Sequence, residues 1–208
     1  MLTLWILGCA LRGPVPHEVD LADLAPLAPA GLQALQDEEH ALSVARTLHA
    51  GAEEEEKRAA DRVEEARNRR KQEKLEFDVA SANLDAAEES GDASRRGLAK
   101  GYLEEARRQR EAAEAAERWQ ELSLDAARQE TRLAEARVTL REAELEMARF
   151  ELVATAEQGR GYMRSDFTEQ LRDAQQRYDE AQRAYDEASE RALRAYDQWK
   201  QLDLGTQG

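Results

Sequence analysis

Between residues 178 and 188 the chain spells one tetrad twice, Tyr178-Asp179-Glu180-Ala181 and Tyr185-Asp186-Glu187-Ala188. An interval of about seven residues returns a side chain to nearly the same side of an α-helix, whereas on a strand an odd interval sends it to the opposite face. The row extends through Leu171, Tyr178, Tyr185, Ala192 and Trp199, with a companion row of Ala174, Ala181, Ala188, Ala195 and Leu202. Rows spaced alternately by three and four residues form the seam along which helices pack, and here bulky residues alternate with alanine.

The same spacing recurs upstream. Leu42, His49, Glu56, Val63, Arg70, Phe77 and Leu84 interleave with Ala45, Ala52, Ala59, Ala66, Glu73, Ala80 and Ala87. Residues 103 to 154 carry two seams, one through Ala106, Ala113, Ala127, Ala134 and Leu145, the other through Trp119, Leu122, Leu133, Leu140, Ala143 and Phe150. The two are offset by two positions, which at about 100° per residue places them on nearly opposite sides of one helix. A middle helix with partners on both flanks follows.

No proline occurs after Gly31, and the later punctuation is glycine, at Gly91 and at Gly159 and Gly161. Glycine closes helices because it adopts the left-handed conformation cheaply. Asp92 or Ser94 can cap the second helix, and Ser165 or Asp166 the third. The expected fold is all-α, with three long antiparallel helices near 32–89, 94–157 and 165–202 forming an elongated coiled-coil hairpin whose third helix is shorter.

Large-on-small matching sets an expected register. The second and third helices align with Met147 on Ala174, Leu140 on Ala181, Leu133 on Ala188 and Leu122 on Trp199. The first and second align with Leu84 on Ala106, Phe77 on Ala113 and Val63 on Ala127. Arg70, Glu73, Glu117 and Gln120 then fall at one level, a polar layer that sets register at some expense of stability, with Arg70 and Glu117 within salt-bridge distance.

Composition narrows the function. The chain has 208 residues, 36% of them charged, and a net charge of -14. Clustered Lys and Arg are what nucleic acid and anionic lipid headgroups require, so an acidic surface opposes both. The one basic cluster, Arg67 to Lys71, is flanked by Glu64, Glu65, Glu73 and Glu76 and reads as a solvated helix face. His17, His40 and His49 lack the spacing of a helical metal pair, no glycine loop precedes a Lys-Ser or Lys-Thr, and no nucleophile sits in a recognisable motif with a base. A non-enzymatic protein with no cofactor, no metal and no small-molecule substrate is expected.

The chain opens with a short apolar run, Leu2, Leu4, Trp5, Ile6 and Leu7, then Gly8 and Cys9, the only cysteine. A run this short cannot span a bilayer, which takes about 20 apolar residues, but suits a signal-like segment over residues 1–8. The tetrad Ile6-Leu7-Gly8-Cys9 resembles the lipobox of bacterial lipoproteins. That resemblance implies a lipidated Cys9 at the mature N-terminus, and with Ala10 in place of the inner-membrane retention aspartate it implies an outer-membrane anchor facing the periplasm. Residues 9–31 hold Pro14, Pro16, Pro26 and Pro29 and read as a Pro-rich tether, followed by a helical body over 32–202 and a tail over 203–208.

By pattern the chain resembles small coiled-coil envelope lipoproteins of Gram-negative bacteria. Such a protein would be a lipid-anchored scaffold or spacer, binding other envelope proteins, or itself, through helix faces or the hairpin tip. Residues 138–190, with "VTLREAELEMARFELV" and "DFTEQLRDAQQRYDEAQRAYDEA", also look like the helical hairpin of the outer-membrane efflux (TolC) family, without that family's barrel strands. An efflux-type periplasmic hairpin component is one alternative. A cytoplasmic coiled-coil adaptor, with Cys9 unmodified, is the other.

Overall fold

The computed structural model describes residues 17–25, 29–156 and 161–206. They are all-helical, with no strand among them: α1 (Leu21–Leu24), α2 (Pro29–Glu89), α3 (Ala93–Thr155) and α4 (Arg164–Thr206). Three of the four are long, at 61, 63 and 43 residues.

The α2–α3 connection follows from three adjacent residues. Gly91 has φ of 70°, the left-handed conformation that ends α2. Asp92 then caps α3, its Oδ1 accepting from the backbone N–H of Ser94 at 2.8 Å and of Arg95 at 3.2 Å. A Cβ at Gly91 would meet no atom within 4 Å, so backbone strain alone opposes substitution there. Gly91→Ala should therefore lower stability by about 1–2 kcal/mol, read as a urea midpoint, with Gly91→Asn milder because asparagine tolerates this region.

At the other connection the expected caps lie inside the helix. α4 starts at Arg164, ahead of Ser165 and Asp166, and the Ser165 hydroxyl donates to Asp166 Oδ1 at 3.1 Å. Asp166 contributes instead as a first-turn acid, where a negative charge faces the positive end of the helix dipole.

The molecule divides into two compact units. The second unit, residues 43–139 with 176–206 in the described range, is where the heptad seams operate. Ala45, Ala52, Ala59, Val63, Ala80 and Ala87 of α2 are buried, as are Ala106, Ala113, Ala127 and Ala134 of α3 and Ala188 and Ala195 of α4. Alanine at these points lets helix backbones approach closely while the larger seam residues fill the space between layers. Contacts between α2 and α3 run in opposite chain order: Glu56 with Arg128, Arg67 with Glu121, Arg70 with Glu117. Those between α3 and α4 do the same: Trp119 with Trp199, Asp125 with Arg191, Arg137 with Tyr178. In this unit α3 thus has α2 on one flank and α4 on the other.

The register differs from the large-on-small alignment by about one helical turn. Trp199 stacks on Trp119, ring centroids 4.7 Å apart, about a turn from the expected partner Leu122. Phe77 lies under the guanidinium of Arg110 at 4.1 Å, about a turn from the expected partner Ala113. Aromatic stacking and cation–π contact reward specific partners beyond the area they bury, and here they override volume matching alone.

The first unit comprises, in the described range, residues 17–25, 29–42, 140–156 and 161–175. Its core holds Val153, with no exposed surface, and Phe167, 2% exposed, stacked on Phe150 at 4.9 Å. Two expectations change here. α2 begins at Pro29 rather than near residue 32, since proline is well suited to the first turn of a helix. Residues 17–25, assigned by proline content to a tether, instead dock on the unit. Val19 and Leu24 are buried, and the backbone N–H of Val19 donates to Glu146 Oε2 at 2.9 Å. Asp20 Oδ1 caps the single turn of α1 by accepting from Ala22 N–H. The signal-like segment over residues 1–8 lies outside the described residues, as do residues 9–16 of the proposed tether.

Candidate functional site

In the second unit an open groove of about 390 Å³ runs over α3 between α2 and α4. Ser123, Ala126 and Ala127 form its floor and Tyr185 and Tyr196 its α4 wall. The groove follows from residue size: Ser123, Ala126 and Ala127 are small where α2 and α4 approach α3, so the bulk at this level comes from the flanks. Trp119 closes one end through a three-ring cluster, 4.7 Å from Trp199 and 5.0 Å from Tyr196. Tyr196 is half-buried, with Trp119 and Trp199 as ring neighbours.

Two charged groups at this groove, Glu55 and Arg62, pair with each other. Glu55 Oε1 accepts from Arg62 Nη2 at 2.7 Å, and that hydrogen bond holds the Glu55 carboxyl below its ordinary range. A carboxylate biased toward ionisation by an arginine is poorly suited to donate a proton at neutral pH. What the groove offers is apolar and aromatic contact, with Leu193, 61% exposed, at its edge.

A smaller groove of about 280 Å³ lies between α2 and α3, lined by Leu75, Val79 and Tyr102 among others, and all three side chains are exposed. Among the described residues no group of three or more His, Cys, Asp or Glu is placed to hold a metal ion. His40 is exposed and His49 half-buried, while His17 Nδ1 lies 3.9 Å from Asp166 Oδ2. No described helix is long and apolar enough to cross a membrane.

The polar layer is present with altered membership. Arg70 Nε lies 2.9 Å from Glu117 Oε2, and Arg67 Nε is 3.6 Å from Glu117 Oε1. Arg67 Nη2 reaches Glu121 Oε1 at 2.8 Å, a bond that raises the guanidinium pKa further above its ordinary value. Glu117 is buried while both arginines stay about half exposed. Glu73, expected across from Glu117, faces Arg69 of its own helix at 3.7 Å, and Gln120 is half-buried. Arg67 and Glu121 are further members of the layer. The Arg70–Glu117 pair is the one expected from the sequence, whereas the sequence analysis left Arg67 on a solvated face and did not single out Glu121. Cys9 lies outside the described residues.

No protein-family model matches the chain, and neither a curated protein nor a solved structure is significantly similar to it.

Proposed function

We propose that the chain is a non-enzymatic helical scaffold or spacer of the bacterial cell envelope, anchored at the outer membrane by lipid on Cys9 and facing the periplasm. In this reading α2, α3 and α4 form an elongated antiparallel coiled-coil hairpin with α4 as its shorter arm, and other envelope proteins dock on its helix faces or hairpin tip. One observation carries the scaffold reading: the long helices bury their heptad seams against one another and leave shallow grooves edged by exposed apolar side chains such as Leu193. Surfaces of that kind suit protein contact more than they suit enclosing a small molecule. The tetrad Ile6-Leu7-Gly8-Cys9 supports the anchor.

Metabolic palmitate labelling tests the anchor. Label that is sensitive to a lipoprotein signal-peptidase inhibitor and lost in Cys9→Ser is the expected result. Unlabelled protein recovered from the cytoplasm would replace this reading with a cytoplasmic adaptor, and detergent-extracted oligomers that conduct ions would favour an efflux component.

In the same proposal Arg70, Glu73, Glu117 and Gln120 belong to the layer that sets helix register, together with Arg67 and Glu121. Removing one partner of a buried pair costs about 3–5 kcal/mol when the charge left behind is buried. Arg67 and Arg70 stay about half exposed and can remain hydrated, so Glu117→Leu should lower stability by only about 1–2 kcal/mol, read from urea unfolding. Disulfide cross-linking between cysteines placed at Arg67 and Glu121 should become less efficient in that variant. Undiminished cross-linking would remove the register role.

A further inference from the structure

Residues 17–24 are held in a manner unlike the rest of the chain. Val19 and Leu24 are buried, and three successive hydrogen bonds tie the backbone of the segment to α3, α4 and the residues just before α4. His17 N–H donates to Gln170 Oε1 at 2.8 Å, Val19 N–H to Glu146 Oε2 at 2.9 Å, and Asp20 N–H to the Tyr162 hydroxyl oxygen at 2.9 Å. The Tyr162 hydroxyl in turn donates to Asp23 Oδ2 at 2.8 Å. Asp20 N–H favours the phenolate, but the Asp23 hydrogen bond, burial and the charges of Asp23 and Asp20 outweigh it and raise the Tyr162 pKa, keeping the hydroxyl protonated and able to donate.

Glu146 is the centre of this arrangement. It is buried, one oxygen taking the Val19 N–H and the other bonded to Arg149 Nη1 at 2.6 Å. Arg149 Nη2 lies 3.6 Å from Glu39 of α2. One buried carboxylate thus joins the N-terminal segment to a charge chain running through α3 to α2. Hydrogen bonds to an ionised acceptor are about twice as strong as neutral ones. Once that bond is lost the segment keeps only the His17–Gln170, His17–Asp166 and Asp20–Tyr162 contacts and the buried Val19 and Leu24 side chains, a set small enough to open locally as one step.

We propose that residues 17–24 are a releasable strap with Glu146 as its catch, which holds this segment against α3 and α4 of the first unit and opens without unfolding the helices. Opening would bare the surface now covered by Val19 and Leu24. A pull on the N-terminal segment would load the Val19–Glu146 bond early. The inference is independent of acylation at Cys9.

Amide hydrogen exchange on the full chain tests it. In wild type the Val19 and Asp20 amides should exchange well below free-peptide rates. Glu146→Gln should speed exchange across 17–24 by about tenfold or more, the factor carried by one charge-assisted bond. Tyr162→Phe, which removes only a hydroxyl, should speed the Asp20 amide by about fivefold. In both variants the helical amides of 29–42 and 140–153 should keep their wild-type rates. Free-peptide rates at Val19 and Asp20 in wild type, or unchanged rates in both variants, would overturn the strap. So would helical amides that accelerate in step with the strap, since the segment would then be an inseparable part of the fold.

Discussion

Replacing Phe167 by alanine should destabilise the first unit by about 3–5 kcal/mol, the range for emptying an aromatic site in a core. Phe167 is 2% exposed and stacks on Phe150 with an interplanar angle of 18°, so the change removes both the buried area and a ring pair. Neighbours can close the space only in part, because two further ring neighbours are held in place: Tyr162, at 6.1 Å, by hydrogen bonds to Asp20 and Asp23, and His17, at 6.2 Å, by its backbone bond to Gln170. Urea unfolding followed by circular dichroism measures the loss. Phe167→Leu, which retains much of the volume, should recover more than half of it. A change below about 1 kcal/mol in Phe167→Ala would mean that the ring does not support this core.

The reverse operation has the second large effect. Ala188 of α4 is 1% exposed on the flank facing α3, and the seam leaves no room at that level for a ring. Ala188→Phe should cost about 1–3 kcal/mol through forced rotamers and displacement of α4. The displacement has its own reporter, because the α3–α4 contact includes Trp119 stacked on Trp199. The tryptophan emission of Ala188→Phe should shift to the red in the absence of denaturant. Leu193→Phe, on an exposed edge of the same helix, should stay within about 0.5 kcal/mol of wild type with unchanged emission.

These variants fall where the sequence could be read and where it could not. The seam alanines of α2 and α4 were evident from spacing alone, since a period near 3.5 admits one geometry and Ala59 and Ala188 lie on it. The two-flanked character of α3 was evident for the same reason. Register was less accessible, because alanine every heptad makes alignments one turn apart nearly equal in volume. Stacking then decides, and its clue was present: Trp119 and Phe150 are separated by nearly the same number of residues as Phe167 and Trp199. Residues 17–24 were beyond such reading. Their bonds to Glu146, Tyr162 and Gln170 join positions 127 to 153 residues apart, and no local period records a pairing of that kind. The grooves were hidden for a related reason, as each arises from what two or three helices leave between them rather than from any one of them.

The gripping of α3 by α2 on one flank and α4 on the other limits how such a chain can change in length. One inserted residue would turn the remainder of α3 by about 100° and spoil two interfaces together. About seven would restore both, provided the facing helices grow to match. Related chains, wherever they are found, should therefore differ in these helices by whole heptads added in concert, as a staircase gains height only by complete steps.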